Sequence, residues 1–165
     1  MTLRALGLCL LFATLPAPAQ DIPAPEGSVF FGQSAAILPN GNLVVVDPRF
    51  DPPGPATAVG AVYLYRPDRT LISRLTGTTT DDLVGQFGIV VLPSGNFLVP
   101  SPNWDNGAAV DAGAVTFING RTGLNGAVSA ANSLVGSSAG DQIGIGGIDL
   151  LTNGNYVVVS ARWDN

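Results

Sequence analysis

The chain has 165 residues, a formal net charge of −5 and no histidine, and arginine supplies every basic side chain. A negative balance argues against nucleic acid and anionic membrane as partners, since both are held by basic patches. The missing histidine removes a Ser-His-Asp triad and a histidine-bound metal. Hydrophobic residues make up 46% against 12% charged, too apolar for a disordered chain, and 21 glycines with 13 prolines call for many turns.

In chain order, the first feature is MTLRALGLCLLFATLPAPAQ. Arg4 precedes an apolar run from Ala5 to Leu15, followed by the small-residue pattern Ala17-Pro18-Ala19. These are the three parts of a secretory signal peptide, with cleavage expected after Ala19 and a secreted, periplasmic or cell-surface location. The run is shorter than the ~20 residues that cross a bilayer, so no membrane span is expected after cleavage. Cys9, the one cysteine, falls within the removed segment, so the exported chain has no disulfide and must be held by its core. Residues 20–27 then read as a linker.

From residue 28 onward the sequence repeats itself. ILPNGNLVVVDPRFD (37–51), VLPSGNFLVPSPNWD (91–105) and LLTNGNYVVVSARWD (150–164) align without gaps. Each carries a leucine (Leu38, Leu92, Leu151), a Gly-Asn turn (Gly41-Asn42, Gly95-Asn96, Gly154-Asn155) and an aromatic-Asp pair (Phe50-Asp51, Trp104-Asp105, Trp163-Asp164). Upstream, Asp82, Gly85 and Gly88 fall in step with Asp141, Gly144 and Gly147, and VGAVYLY (59–65) matches AGAVTFI (112–118). Three copies follow, over 28–76, 77–135 and 136–165, the last ending in mid-repeat. A fragment of a longer repeat protein is the expected reading.

β-branched and aromatic runs punctuated by Gly, Asn and Pro predict four short strands per copy. In the second copy these are 86–92, 97–101, 114–118 and 127–134, with LPSGN and LTNGN closing hairpins between the first two strands of their copies. GIGGI (144–148) reads as a bulged or tightly packed strand. The expected fold is all-β, with repeated four-stranded antiparallel sheets stacked like the blades of an incomplete propeller.

The unit resembles the FG-GAP repeat of integrin α-chain propellers, on Phe31-Gly32 or Phe87-Gly88, the turn, LVVVD and GAVYLY at 60–65. The later copies resemble a repeat of bacterial surface proteins associated with haemagglutinin-like adhesins. The matching segments are NSLVG (132–136), GDQ (140–142), LTNGNYVV (151–158), WDNG (104–107) and DAGAVT (111–116). The resemblance implies a blade-like sheet and a surface or secreted location. The FG-GAP calcium loop alternates acidic residues, whereas Asn-Gly-Asn or Ser-Gly-Asn stands here.

Few residues stand out as sites. Trp104 and Trp163 with their aspartates could stack on sugars, yet a residue kept in every repeat more often serves the packing of the repeat. Asp105, Asn106 and Asp111 on the loop WDNGAAVDAG (104–113) are the candidate calcium ligands, weighed against a structural turn. Asp81, Asp82 and Asp141 stand before glycine-rich turns and take the same two readings. No catalytic residue is assigned. A non-enzymatic secreted or surface module for adhesion, with a protein or glycan ligand, is the expected function. The rivals are a structural spacer repeat and a fragment of a propeller glycosidase, whose carboxylate pair could lie far apart in sequence. Open sheet edges leave self-association as a further expectation.

Overall fold

The computed structural model describes residues 21–164, so the signal peptide expected over 1–19 lies outside the described residues. The protein is all-β. Among the described residues eleven strands form three sheets, none closed into a barrel and none accompanied by a helix. The first sheet holds β1 (Ser34–Ile37), β2 (Leu43–Asp47), β3 (Ala61–Tyr65) and β4 (Leu71–Thr76), antiparallel in that order. The second holds β5 (Val90–Val91), β6 (Phe97–Ser101), β7 (Ala114–Ile118) and β9 (Ser133–Val135). The third is the hairpin β10 (Ile148–Leu150) and β11 (Tyr156–Val158).

Two strands of the second copy match the sequence reading, and two do not. The stretch 86–92 shortens to β5, because Gly85 and Gly88 take positive φ (92° and 74°) and the chain turns there. The stretch 127–134 splits. Asn132 accepts the Ser129 N–H and donates to the Ala127 carbonyl, breaking the strand into β8 (Gly126–Ala127) and β9. β8 then leaves its own copy and adds to the first sheet as a fifth strand, parallel to β4. GIGGI is likewise a turn leading into β10, with Gly144 and Gly147 at positive φ.

The hairpins form where expected. Leu38, Leu92 and Leu151 each donate N–H to the carbonyl of Asn42, Asn96 and Asn155 at 2.8 Å, and the intervening glycines hold φ near +82° to +85°. A non-glycine residue would be strained there.

Alternation along the strands places the core between the sheets. Val44, Val46, Val62, Leu64 and Leu75 of the first sheet face Phe97, Val99, Ala114 and Ile118 of the second, with Trp104 among them. The opposite face of the first sheet carries Val45, Tyr63 and Tyr65, covered by Ile22 and Phe31 from the segment before β1. Phe31 meets Tyr63 edge-on at 5.4 Å between centroids, a favourable aromatic geometry. The expected linker over 20–27 thus contributes a packed residue, Ile22. On its far side the second sheet packs Leu98 and Val115 against Ile148, Tyr156 and Val158 of the third.

Candidate functional site

The recurring carboxylates hold backbone. Asp82 is fully buried between the first two copies; its Oδ2 accepts the N–H groups of Thr78 (2.7 Å) and Thr79 (2.8 Å), and its Oδ1 that of Asp105 (3.0 Å). Asp141 repeats this with Ser137 and Ser138 (both 2.9 Å) and Asp164 (3.1 Å). Burial pushes the Asp82 carboxyl above its ordinary value, against the pull of its three N–H bonds. The Asp141 carboxyl is held below the ordinary value, chiefly by the N–H of Ser138 and next by that of Asp164. Both side chains are shielded from solvent, but Asp141 sits under a two-stranded sheet and so under thinner cover. Asp81 is exposed at positive φ.

In the first two copies the aspartate that follows the aromatic residue caps the next loop. Asp51 Oδ1 accepts the Ala58 N–H, and Asp105 Oδ1 the Asp111 N–H at 2.8 Å. Of the calcium candidates, Asp111 Oδ1 accepts from the Asn103 amide at 3.3 Å, and the Asn106 amide donates to the Gly136 carbonyl. The three lie on one loop but bond separate partners: a main-chain N–H for Asp105, a main-chain carbonyl for Asn106 and the Asn103 side chain for Asp111. Among the described residues no group of three or more Asp, Glu, His or Cys side chains gathers as a metal site. Trp104 is 4% exposed within the inter-sheet core, and its Nε1–H has no partner. Trp163, at the same position of the third copy, is 57% exposed.

A different group of polar residues meets at the hairpin end of the first two sheets. The turn after β7 reaches back under the hairpin of the first copy, where the Gly120 carbonyl accepts the amides of Asn40 (2.9 Å) and Asn42 (2.8 Å). The Gly120 N–H donates to Asn96 Oδ1 at 3.1 Å. A Cβ at Gly120 would collide with the Gly95 carbonyl and come within 2.9 Å of Leu38, so only glycine fits. Around this knot lies a groove of about 360 Å³, lined by Pro39, Asn40, Ser94, Gly95, Asn96, Asn119 and Arg121. Asn119 Oδ1 accepts the Arg121 and Thr122 N–H groups, which fixes the turn and leaves the Arg121 guanidinium on the exposed rim. The lining is rich in donors: a guanidinium, carboxamides and the Ser94 hydroxyl.

Sequence reasoning passed over this groove because its key residues are not repeated. Where the second copy has Asn119-Gly120-Arg121, the first has Arg66-Pro67-Asp68, so no periodic signal marks them.

Comparison with known families agrees with the internal periodicity. A family profile described as a repeat of unknown function (DUF5650) matches residues 91–145 and 150–165. Both matched segments begin one residue before a hairpin leucine, Leu92 and Leu151, so the profile and the internal alignment share one phase. No curated protein matches the chain.

Proposed function

We propose that the chain is a non-enzymatic, secreted or cell-surface binding module, a run of propeller-like blades whose ligand is taken at the hairpin end. The observation that carries this reading is the groove around Gly120, where Ser94, Asn96, Asn119 and Arg121 present donors on a rigid support. Such a lining suits a ligand rich in oxygen acceptors, an extracellular glycan or an acidic protein loop. Rigid sheets carrying non-repeated turn residues are a common way of building recognition. The signal-peptide pattern and the resemblance to FG-GAP and haemagglutinin-associated repeats support the location and the adhesive role.

The repeated carboxylates support a non-catalytic role, because Asp82, Asp105 and Asp141 already accept main-chain N–H groups. The spacer reading draws on that same observation, since a repeat whose recurring carboxylates serve its own backbone can simply carry another domain outward.

The test is a glycan and matrix-protein array probed with the wild-type chain and with Arg121→Ala. Binding to an oxygen-rich ligand that weakens by about ten-fold or more in the variant supports the module. A chain that captures nothing, with the fold intact by circular dichroism, leaves the spacer.

A further inference from the structure

The groove around Gly120 has a fixed hydrogen-bonding polarity. Asn40 Oδ1 accepts the Asn42 N–H at 3.0 Å, and Asn96 Oδ1 the Gly120 N–H at 3.1 Å. Asn119 Oδ1 accepts two, from Arg121 (2.9 Å) and Thr122 (3.1 Å), and Ser94 Oγ accepts the Asn96 N–H at 3.4 Å. Each lining side chain that owns an acceptor thus has it engaged by the protein's own main chain. What remains for a ligand is protons: the amino groups of Asn96 and Asn119, the Ser94 hydroxyl hydrogen and the Arg121 guanidinium. No carboxylate stands in the lining.

Charge is divided in the same sense. At the hairpin end of the first two sheets, the turns 38–42, 66–70, 92–96 and 119–125 carry Arg66, Arg69 and Arg121 against one carboxylate, Asp68. The Asp68 Oδ1 is itself engaged by the Thr70 N–H. The loops at the other end, 47–60, 77–89 and 101–113, carry Asp47, Asp51, Asp81, Asp82, Asp105 and Asp111 against Arg49. The turn 66–70 adjoins the first hairpin through Pro67, whose ring lies 3.3 Å from where a Cβ on Gly41 would stand. A net charge of −5 therefore conceals one positive end, and the groove opens on it. A local field of that sign draws an anion even to an acidic protein.

We propose that the groove takes the anionic group of an acidic polysaccharide, a uronate carboxylate or a sulfate ester; this rests on the reading of the groove as a binding site. A planar guanidinium meets such a group with two parallel N–H bonds, and carboxamide and hydroxyl protons suit its remaining oxygens. A neutral sugar offers hydroxyl groups, each of which also needs an acceptor. An acidic peptide has the same need, since it brings a main-chain N–H at nearly every residue. The ring and glycosidic oxygens of a saccharide only accept, and an acidic unit held by its anionic group leaves its hydroxyls to solvent. At about 360 Å³ the groove lies at the small end of ligand sites, which run from about 300 to 1,000 Å³. Arg66 and Arg69 on the neighbouring turn then meet further anions of the same polymer.

The test is calorimetric titration of the full chain with four probes: oligogalacturonate, its methyl ester, a sulfated dextran oligosaccharide and poly-glutamate. The expected result is binding of oligogalacturonate, sulfated dextran or both, weakening with added salt, and a methyl ester at least about ten-fold weaker than the acid. The tighter of the two acidic saccharides identifies carboxylate or sulfate as the group recognised. Asn119→Asp is the deciding variant. It keeps the oxygen that holds the Arg121 and Thr122 N–H groups and exchanges the amino donor for a negative oxygen. It should weaken the acidic saccharide by about ten-fold or more, with a thermal melt like that of the wild type. Arg121→Ala, an exposed position, should weaken it as well. Equal binding of acid and methyl ester overturns the proposal and leaves the groove to neutral glycans, with the binding module standing. Tighter binding of poly-glutamate overturns it, as does acid binding that both variants leave unchanged. Failure of all four probes also overturns it: a ligand found on the glycan and matrix-protein array then keeps the module, and an empty array removes both.

Discussion

Asp82 and Asp141 hold the same position in successive copies and accept the same set of main-chain hydrogen bonds, two to one oxygen and one to the other. Each carboxylate ties the start of its own copy, where the chain leaves the preceding sheet, to the loop after that copy's second strand, so it works as a staple at the crossing between sheets. Asp82→Ala would leave three N–H groups with no acceptor in a buried setting. The expected loss is about 3 kcal/mol in urea unfolding, since an unmade buried hydrogen bond costs more than a made one gains. Asp81→Asn, one residue earlier and exposed, should stay within about 0.5 kcal/mol. Equal effects at the two positions would remove the staple from the account.

The same pair should titrate in opposite directions. Asp82 has its folded value raised by burial, so its contribution to stability is fully present below the ordinary carboxyl range. It is lost as pH rises through the folded value. Asp141 has its folded value lowered by N–H bonds. Its contribution is present above the ordinary range and lost as pH falls through the folded value. Carbon-13 carboxyl shifts recorded through the acid range should give Asp82 a midpoint above that of Asp141. A reversed order would mean that cover by the neighbouring sheets does not decide these values.

Gly77 and Gly147 separate close approach from backbone strain. A Cβ on Gly77 would run into the Val59 carbonyl and lie 2.7 Å from Asp82 Cβ, with rigid backbone on one side. At Gly147 there is open space but φ is +94°. Gly77→Ala is expected to cost about 3 kcal/mol through forced repacking, and Gly147→Ala about 1 kcal/mol through strain alone. Thermal melts of the two variants give the comparison directly.

The two tryptophans should behave as unlike reporters. Trp104 lies in the core between sheets, so Trp104→Ala should destabilise by about 4 kcal/mol. Trp163→Ala should change stability by less than about 0.5 kcal/mol. Trp104→Phe should be mild, about 1 kcal/mol, because the buried indole N–H has no partner to lose and Phe50 fills the same position in the first copy. Emission of the Trp163→Phe variant should lie to the blue of the wild type, since only the buried indole remains.

What could be read from the sequence was whatever the repeat states more than once. The hairpins at Gly41, Gly95 and Gly154, and the strands β6 and β7, are fixed by local chemistry and stand where the sequence puts them. Decisions taken between copies were hidden. Nothing local tells that Gly126 and Ala127 pair with Leu75 and Thr76 of the previous copy, because the ladder rewards a contact distant in the chain. Nothing local gives Trp104 and Trp163 opposite environments either, since their neighbourhoods in sequence are alike and only the cover differs. Arg121 escaped notice for the converse reason, as a single occurrence on a turn has no second copy to set it in relief.

The parallel pairing of β8 with β4 also bears on how such a chain can change length over evolutionary time. Val128 donates N–H to the Thr76 carbonyl, and Arg74 N–H reaches the Asn125 side chain, so the second copy sutures the outer margin of the first. A deletion or duplication cut cleanly at a repeat boundary would sever that suture and leave a raw margin on the preceding sheet. The heritable unit is therefore a repeat together with the stitch its successor provides, and viable rearrangements are those whose new neighbour brings an equivalent of residues 125–128.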